Sequence, residues 1–116
     1  MTKVTVELTD EVATRIAPMH HWLSIVLELS LIGFKTPAVA TATEIIEFLA
    51  SDPSPQAVIN YHISTRGQER LQRLLALNTA GLLNSDEERE LDELGKIEHI
   101  FVMLKAQVAA KMHQGD

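Results

Sequence analysis

Apolar and polar positions alternate at the head of the chain. Val4, Val6 and Leu8 fall on one side of Lys3–Leu8, and Lys3, Thr5 and Glu7 on the other, the two-residue period of a half-buried strand. No other stretch reads convincingly as a strand, so its backbone donors and acceptors need a partner, and the cheapest is the same strand of a second copy. A homodimer joined through Val4, Val6 and Leu8 is therefore expected. From Thr9 the period becomes helical. Thr9 stands as an N-cap with Asp10 and Glu11 behind it, and Val12, Ala13, Ile16 and Ala17 make the stripe of a short helix that Pro18 disturbs.

A second helix is expected from about Trp22 to Ile32. Leu23, Ile25, Val26, Leu27, Leu29, Leu31 and Ile32 leave it a polar strip at Ser24 and Glu28, so it should be buried nearly all round. Gly33 ends it, and Thr36-Pro37 opens a third helix to about Ala50 with Ala42, Ile45, Ile46 and Leu49 inward. Ser51-Asp52-Pro53-Ser54-Pro55 is the clearest break. Ser54-Pro55 can cap a short helical turn through Tyr61, and Ser64 a helix carrying Leu71, Leu74, Leu75 and Leu77.

The strongest local signals lie between Asn78 and Glu88. Gly81 suits the left-handed C′ position of a helix end, with Leu82 at C″ against Leu77 at C3 as in a Schellman ending. Ser85 and Glu88 have the spacing of a capping box, and Asp86 and Glu87 complement the dipole of a last helix running to about Met112. Its stripe, Leu91, Leu94, Ile97, Phe101, Leu104, Val108 and Met112, outruns the shorter helix before the turn. The distal part needs cover from the N-terminal module, a second subunit or another protein. The expected fold is thus mainly α: a short N-terminal strand, about five helices and a closing antiparallel hairpin, divided as a dimerisation module at 1–50, a Pro-containing linker at 51–63 and the hairpin at 64–116.

Composition narrows the class. With 116 residues, 46% apolar and 22% charged, the chain suits one globular domain or a small module with a helical arm. Zero cysteines exclude disulfides and thiolate zinc sites and fit a reducing cytoplasm. Lys3 is followed by alternation instead of a leader's apolar core, and the run Trp22–Phe34 contains Glu28 and falls short of the about 20 residues of a bilayer span. A soluble, cytoplasmic protein is expected. A net charge of −6 disfavours general affinity for nucleic acid.

Candidate chemistry is sparse. Gly81 at the sixth position of a calcium loop would place Ala76 and Ala80 where calcium needs oxygen ligands, so an ordinary capped turn is the better reading. His20, His21, His62, His99 and His113 show no spacing that sets two on one helical face, which argues against a metal. No nucleophile elbow, phosphate loop or paired-carboxylate motif points to catalysis, and no cofactor is implied. Six acids between Asp86 and Glu93, against Arg89 alone, could steer a basic partner or simply complement the helix dipole. Arg66, Arg70 and Arg73 share a helical face and are expected to pair with those acids.

Two resemblances follow from these residues. Val-Thr-Val-Glu-Leu-Thr-Asp-Glu at the head of a strand-helix-helix order over Lys3–Phe34 resembles ribbon-helix-helix and related dimeric antitoxin modules. The turn Asn-x-x-Gly-Leu-x-x-x-Glu-Glu-x-x-Glu-Leu within Ser64–Ala110 resembles small bacterial, cyanobacterial-type proteins regarded as antitoxin-like. The first resemblance implies base contacts from Lys3, Thr5 and Glu7, and phosphate contacts from His21, Trp22 and Leu23. Glu7 would face phosphate, Pro18 shortens the first helix, and the usual Gly- and Ser-containing turn is missing. The leading expectation is a non-enzymatic, homodimeric interaction protein of the antitoxin type that occludes a toxin or nuclease, with Glu87, Glu90, Phe101, Leu104 and Val108 on the partner side and Gly81, Ser85 and Glu88 as structural caps. The alternatives are a DNA-binding autorepressor using Lys3, Thr5 and His21, and a purely structural helical adaptor.

Overall fold

A computed structural model describes residues 2–114, so Met1, Gly115 and Asp116, the outer ends of the first and last expected segments, lie outside the described residues. Among these there are six α-helices: α1 Asp10–Ile16, α2 Leu23–Ser30, α3 Val39–Ala50, α4 Pro55–Asn60, α5 Thr65–Thr79 and α6 Ser85–Gln114. A 3₁₀ stretch, Ala17–Trp22, separates the first two, because Pro18 brings no N–H to the α-helical ladder while still fitting the tighter turn.

The expected N-terminal strand is absent. No β-strand occurs among the described residues, and Thr2–Thr9 carries no regular structure. Alternation makes a strand possible, but a ladder also needs a second edge, and this chain supplies none. Val4, Val6 and Leu8 therefore form no dimer strand, and the ribbon-helix-helix reading, with Lys3 and Thr5 raised on a strand toward DNA, falls with it.

The packing is organised around α6. At about 1.5 Å per residue this helix approaches 45 Å, close to the 47 Å longest dimension of the molecule. α2, α4 and α5 lie against it, and α3 packs on α2 and the 3₁₀ stretch. A single cluster joins Ile25, Val26 and Leu29 of α2, Ala42, Ile45 and Leu49 of α3, Val58 of α4, Leu74 of α5 and Leu94, Ile97, Phe101, Leu104 and Val108 of α6. α2 thus supplies cover that the distal stripe requires, and Phe101, Leu104 and Val108 are buried in the core. The second helix is less enclosed than its sequence suggests, since Leu27 and Leu31 remain outside.

Polar anchors fix how these helices sit. Glu90 is buried, and the guanidinium of Arg70 donates to it twice, Nε to Oε2 and Nη2 to Oε1, each at 2.8 Å. That hydrogen bond from the Arg70 fork to Glu90 raises the guanidinium's pKa further. Glu93, one turn on and also buried, accepts from the backbone N–H of Lys35 at 3.0 Å and from the Thr36 hydroxyl. Burial alone would push the Glu93 carboxyl up, but the Thr36 and backbone donors, with Arg89 nearby, outweigh it and hold it below the ordinary range. One carboxylate ties α5 to α6; the other fixes the approach to α3.

The hairpin turn forms as expected at its first end and one residue early at its second. Gly81, at φ +71°, donates to Asn78 C=O at 3.0 Å, and Leu82 N–H to Leu77 C=O at 2.9 Å, the paired bonds of a Schellman ending. Leu82 itself is largely exposed. The capping box is Asn84–Glu87 and not Ser85–Glu88: Glu87 N–H donates to Asn84 Oδ1 at 2.8 Å, and Asn84 N–H to Glu87 Oε1 at 3.1 Å. The two motifs overlap, and starting at Asn84 adds a further helical bond, Glu88 N–H to Asn84 C=O at 2.9 Å.

Asn84→Ala should therefore cost about 1 kcal/mol in denaturant unfolding while Ser85→Ala stays within about 0.5 kcal/mol. The lowered pKa of Glu93 means that its contribution is complete above the unfolded value of about 4.3 and lost as pH falls through the folded value. Glu93→Gln, which leaves a buried donor unmet, should destabilise the fold by about 1–3 kcal/mol at neutral pH and flatten the loss of stability on acidification.

Candidate interaction surface

The N-terminal arm, residues 2–16, stands off the body. α1 is well formed, with Val12 N–H donating to the Thr9 hydroxyl at 3.3 Å and acids in its first turn, yet it contributes no buried residue. It packs chiefly on the 3₁₀ stretch that follows it. Val4 is 80% exposed and Val6 66%, and Leu8 and Val12 are also in solvent. The radius of gyration, 16.1 Å, exceeds the roughly 13 Å of a compact chain of this length, as a projecting arm and a long axial helix require.

At the far end of α6 the body carries an open groove of about 790 Å³, walled by Trp22 and Ile25 on one side, Pro53 and Pro55 on another and Leu104, Val108 and Met112 along its floor. Trp22 is held there by its indole N–H, which donates to Pro53 C=O at 3.3 Å. Asp52 adopts φ +55°, turning the chain sharply at the break between α3 and α4, and its Oδ1 lies 3.5 Å from His21 Nδ1. Both groups are exposed, so the pair marks the rim and contributes little to stability. His21 is a rim residue next to an acid, in the last turn of the 3₁₀ stretch and immediately before Trp22, the N-cap of α2.

A second, smaller groove of about 210 Å³ runs between α3, α5 and α6, with Tyr61, His62, Gln68, Glu98 and Lys105 among its lining. Tyr61 stacks on Phe48 at 4.2 Å between centroids and meets Phe101 edge-on at 5.5 Å. Its hydroxyl donates to Glu44, which also accepts from Ser64 N–H at 2.6 Å. Lys105 Nζ donates to Tyr61 C=O at 2.7 Å. These groups are occupied with one another and read as structural ties around the α4–α5 connection.

Of the hairpin-tip acids, Glu87 closes the cap, Glu90 and Glu93 are internal, and Asp92 pairs with Lys96. Asp86 and Glu88 are left to face solvent. Arg70 pairs with an acid as expected, whereas no ion pair holds Arg66 or Arg73 among the described residues. No three His, Asp or Glu side chains converge as metal ligands among the described residues, and no helix is long and apolar enough to cross a membrane. No local pattern marks the groove, because its walls come from three separate segments, and the alternation of Val4, Val6 and Leu8 suggests a ladder where the structure leaves a bare apolar arm.

Tyr61 is the chain's one tyrosine, which makes its ionisation directly readable. Burial, and then the neighbouring Glu44 charge and hydrogen bond, push its pKa up to about 12. Tyrosinate absorbance should therefore rise well above pH 10, the stability that Tyr61 lends being intact below the unfolded pKa of about 10 and lost as pH climbs through the folded value. Glu44→Gln should lower the midpoint.

Comparison with protein families, with characterised proteins and with solved structures returns no match.

Proposed function

We propose that this chain is a non-enzymatic, cytoplasmic protein-interaction module whose recognition element is the N-terminal arm. The observation that carries this is the exposure of Val4, Val6, Leu8 and Val12 on a segment that adds nothing to the core. An apolar stretch that does not support its own fold gains stability only when another surface covers it. The absence of cysteine favours a reducing compartment.

The antitoxin-type role is the specific form of this reading that the sequence resemblance supports, with a toxin or nuclease masked by an arm that orders on contact. Recognition moves from the hairpin to the arm, because Glu90, Phe101, Leu104 and Val108 are buried and Glu87 is spent on the cap. What stays acidic at the tip, Asp86 and Glu88, can steer a basic partner's approach without forming the contact.

Deleting residues 2–16 should lower helical content only by the seven residues of α1 and leave the unfolding free energy within about 0.5 kcal/mol of the full chain, since no core residue is removed. Co-expression with the product of the adjacent reading frame should give a complex at low salt that the truncated chain does not form. Equal behaviour of the two chains toward that product would overturn the reading.

A further inference from the structure

We infer that the solvent face of α6 is a dimer seam, packed antiparallel against the same face of a second copy of this chain. This goes beyond the role proposed for the arm and uses no residue of it. α6 carries two stripes. The inner one, Leu94, Ile97, Phe101, Leu104 and Val108, is spent on the core. On the opposite side Gly95, His99, Val102, Ala106, Ala109 and His113 recur at alternating steps of four and three, the spacing of the a and d positions of a coiled coil. Every one of them is exposed, Val102 at 55%, as is its neighbour Met103 at 48%, and no charged residue falls on this seam between His99 and His113. A surface helix ordinarily turns its charges to water; here Glu98 and Lys105 stand to one side of the seam.

Those two charges select both the occupant and the register. They take g positions, and neither is in an ion pair among the described residues. Lys105 Nζ donates to Tyr61 C=O at 2.7 Å and keeps two further N–H donors. With Gly95 opposite Ala106 and His99 opposite Val102 of the second copy, Glu98 of each chain meets Lys105 of the other, twice over by two-fold symmetry. Leu91 then meets the exposed Met112 of the second copy. A slip of one heptad toward the C-terminus sets Lys105 against Lys105, and one toward the N-terminus sets Glu98 against Glu98. A parallel pair stacks like histidines at 99 and 113 and leaves Glu98 facing Met103. One antiparallel register thus satisfies the flanking charges, and a surface that completes itself in this way fits a second copy of the chain. The overlap, residues 88–113, is about 39 Å long and buries on the order of 1,000 Å² over both copies, at the lower edge of specific interfaces. The dimer is therefore weak and concentration-dependent, and each monomer keeps its own core.

The cysteine-free full-length chain carries the test. Gly95→Cys and Ala106→Cys variants are purified separately, mixed and oxidised; a Cβ at Gly95 meets open space and Ala106 is exposed, so neither change disturbs the monomer. The mixed disulfide between positions 95 and 106 should form at several times the yield of either like pair. Sedimentation should show a dimer that Val102→Asp or Glu98→Lys weakens about tenfold or more with helical content unchanged, and that removal of residues 2–16 leaves intact. Glu98→Lys and Lys105→Glu chains, each weakened alone, should associate with one another. A monomer at every concentration, like disulfides equalling the mixed one, or a dimer lost with the arm overturns the seam. Capture of the neighbouring gene product through the arm is read separately, so its failure leaves the seam standing and the converse also holds.

Discussion

Two carboxylates buried on one helix set the terms for the rest of the molecule. An ionised side chain removed from water is tolerated only where charged or polar donors replace its hydration, and α6 carries Glu90 and Glu93 one turn apart, each almost fully enclosed. The donors come from two separate segments, both earlier in the chain. Arg70 reaches in from α5, twenty residues upstream, and Lys35 N–H and the Thr36 hydroxyl from the approach to α3, nearly sixty residues upstream. Neither helix can slide along α6 without stranding a charge. The apolar cluster supplies the driving force, and the two acids choose the register in which it is realised.

That register determines what stays outside. With α2, α4 and α5 laid on α6, the stripe from Leu94 to Val108 is consumed within the chain. α1 and the residues before it are left over, since Pro18 ends the α-helical path before they can be carried onto the body. The same packing opens the groove beside Trp22, where the 3₁₀ stretch, the α3–α4 break and the last turns of α6 diverge. Arm and groove are therefore two results of one arrangement.

Local features were the ones legible in the sequence. Thr9, Ser54 and Ser64 cap the helices they precede, each accepting an amide N–H three residues on, and Gly81 takes the left-handed turn assigned to it. All depend on interactions within a few residues. The cap at Asn84 was missed by one position because Asn84–Glu87 and Ser85–Glu88 satisfy the same chemistry. The pairing of Arg70 with an acid of the opposite helix was readable, because the turn between them was. Glu93 was not: its place in an acidic run implies solvent, and its real surroundings come from a segment with no sequence relation to it. Alternation at Lys3–Leu8 misled for the converse reason, since a β-ladder is a property of two edges and a pattern belongs to one.

The back-to-back closure of α5 and opening of α6 also bears on how the molecule reaches this state. Between Leu77 and Glu88 every tie spans five residues or fewer, so loop closure there costs little entropy. A hairpin so joined can assemble before any distant segment arrives, and its formation places Glu90 opposite Arg70. The α2–α3 region must find Glu93 across about half the chain, a far longer loop to close, so chain entropy favours assembly of the C-terminal helical pair ahead of the N-terminal helices.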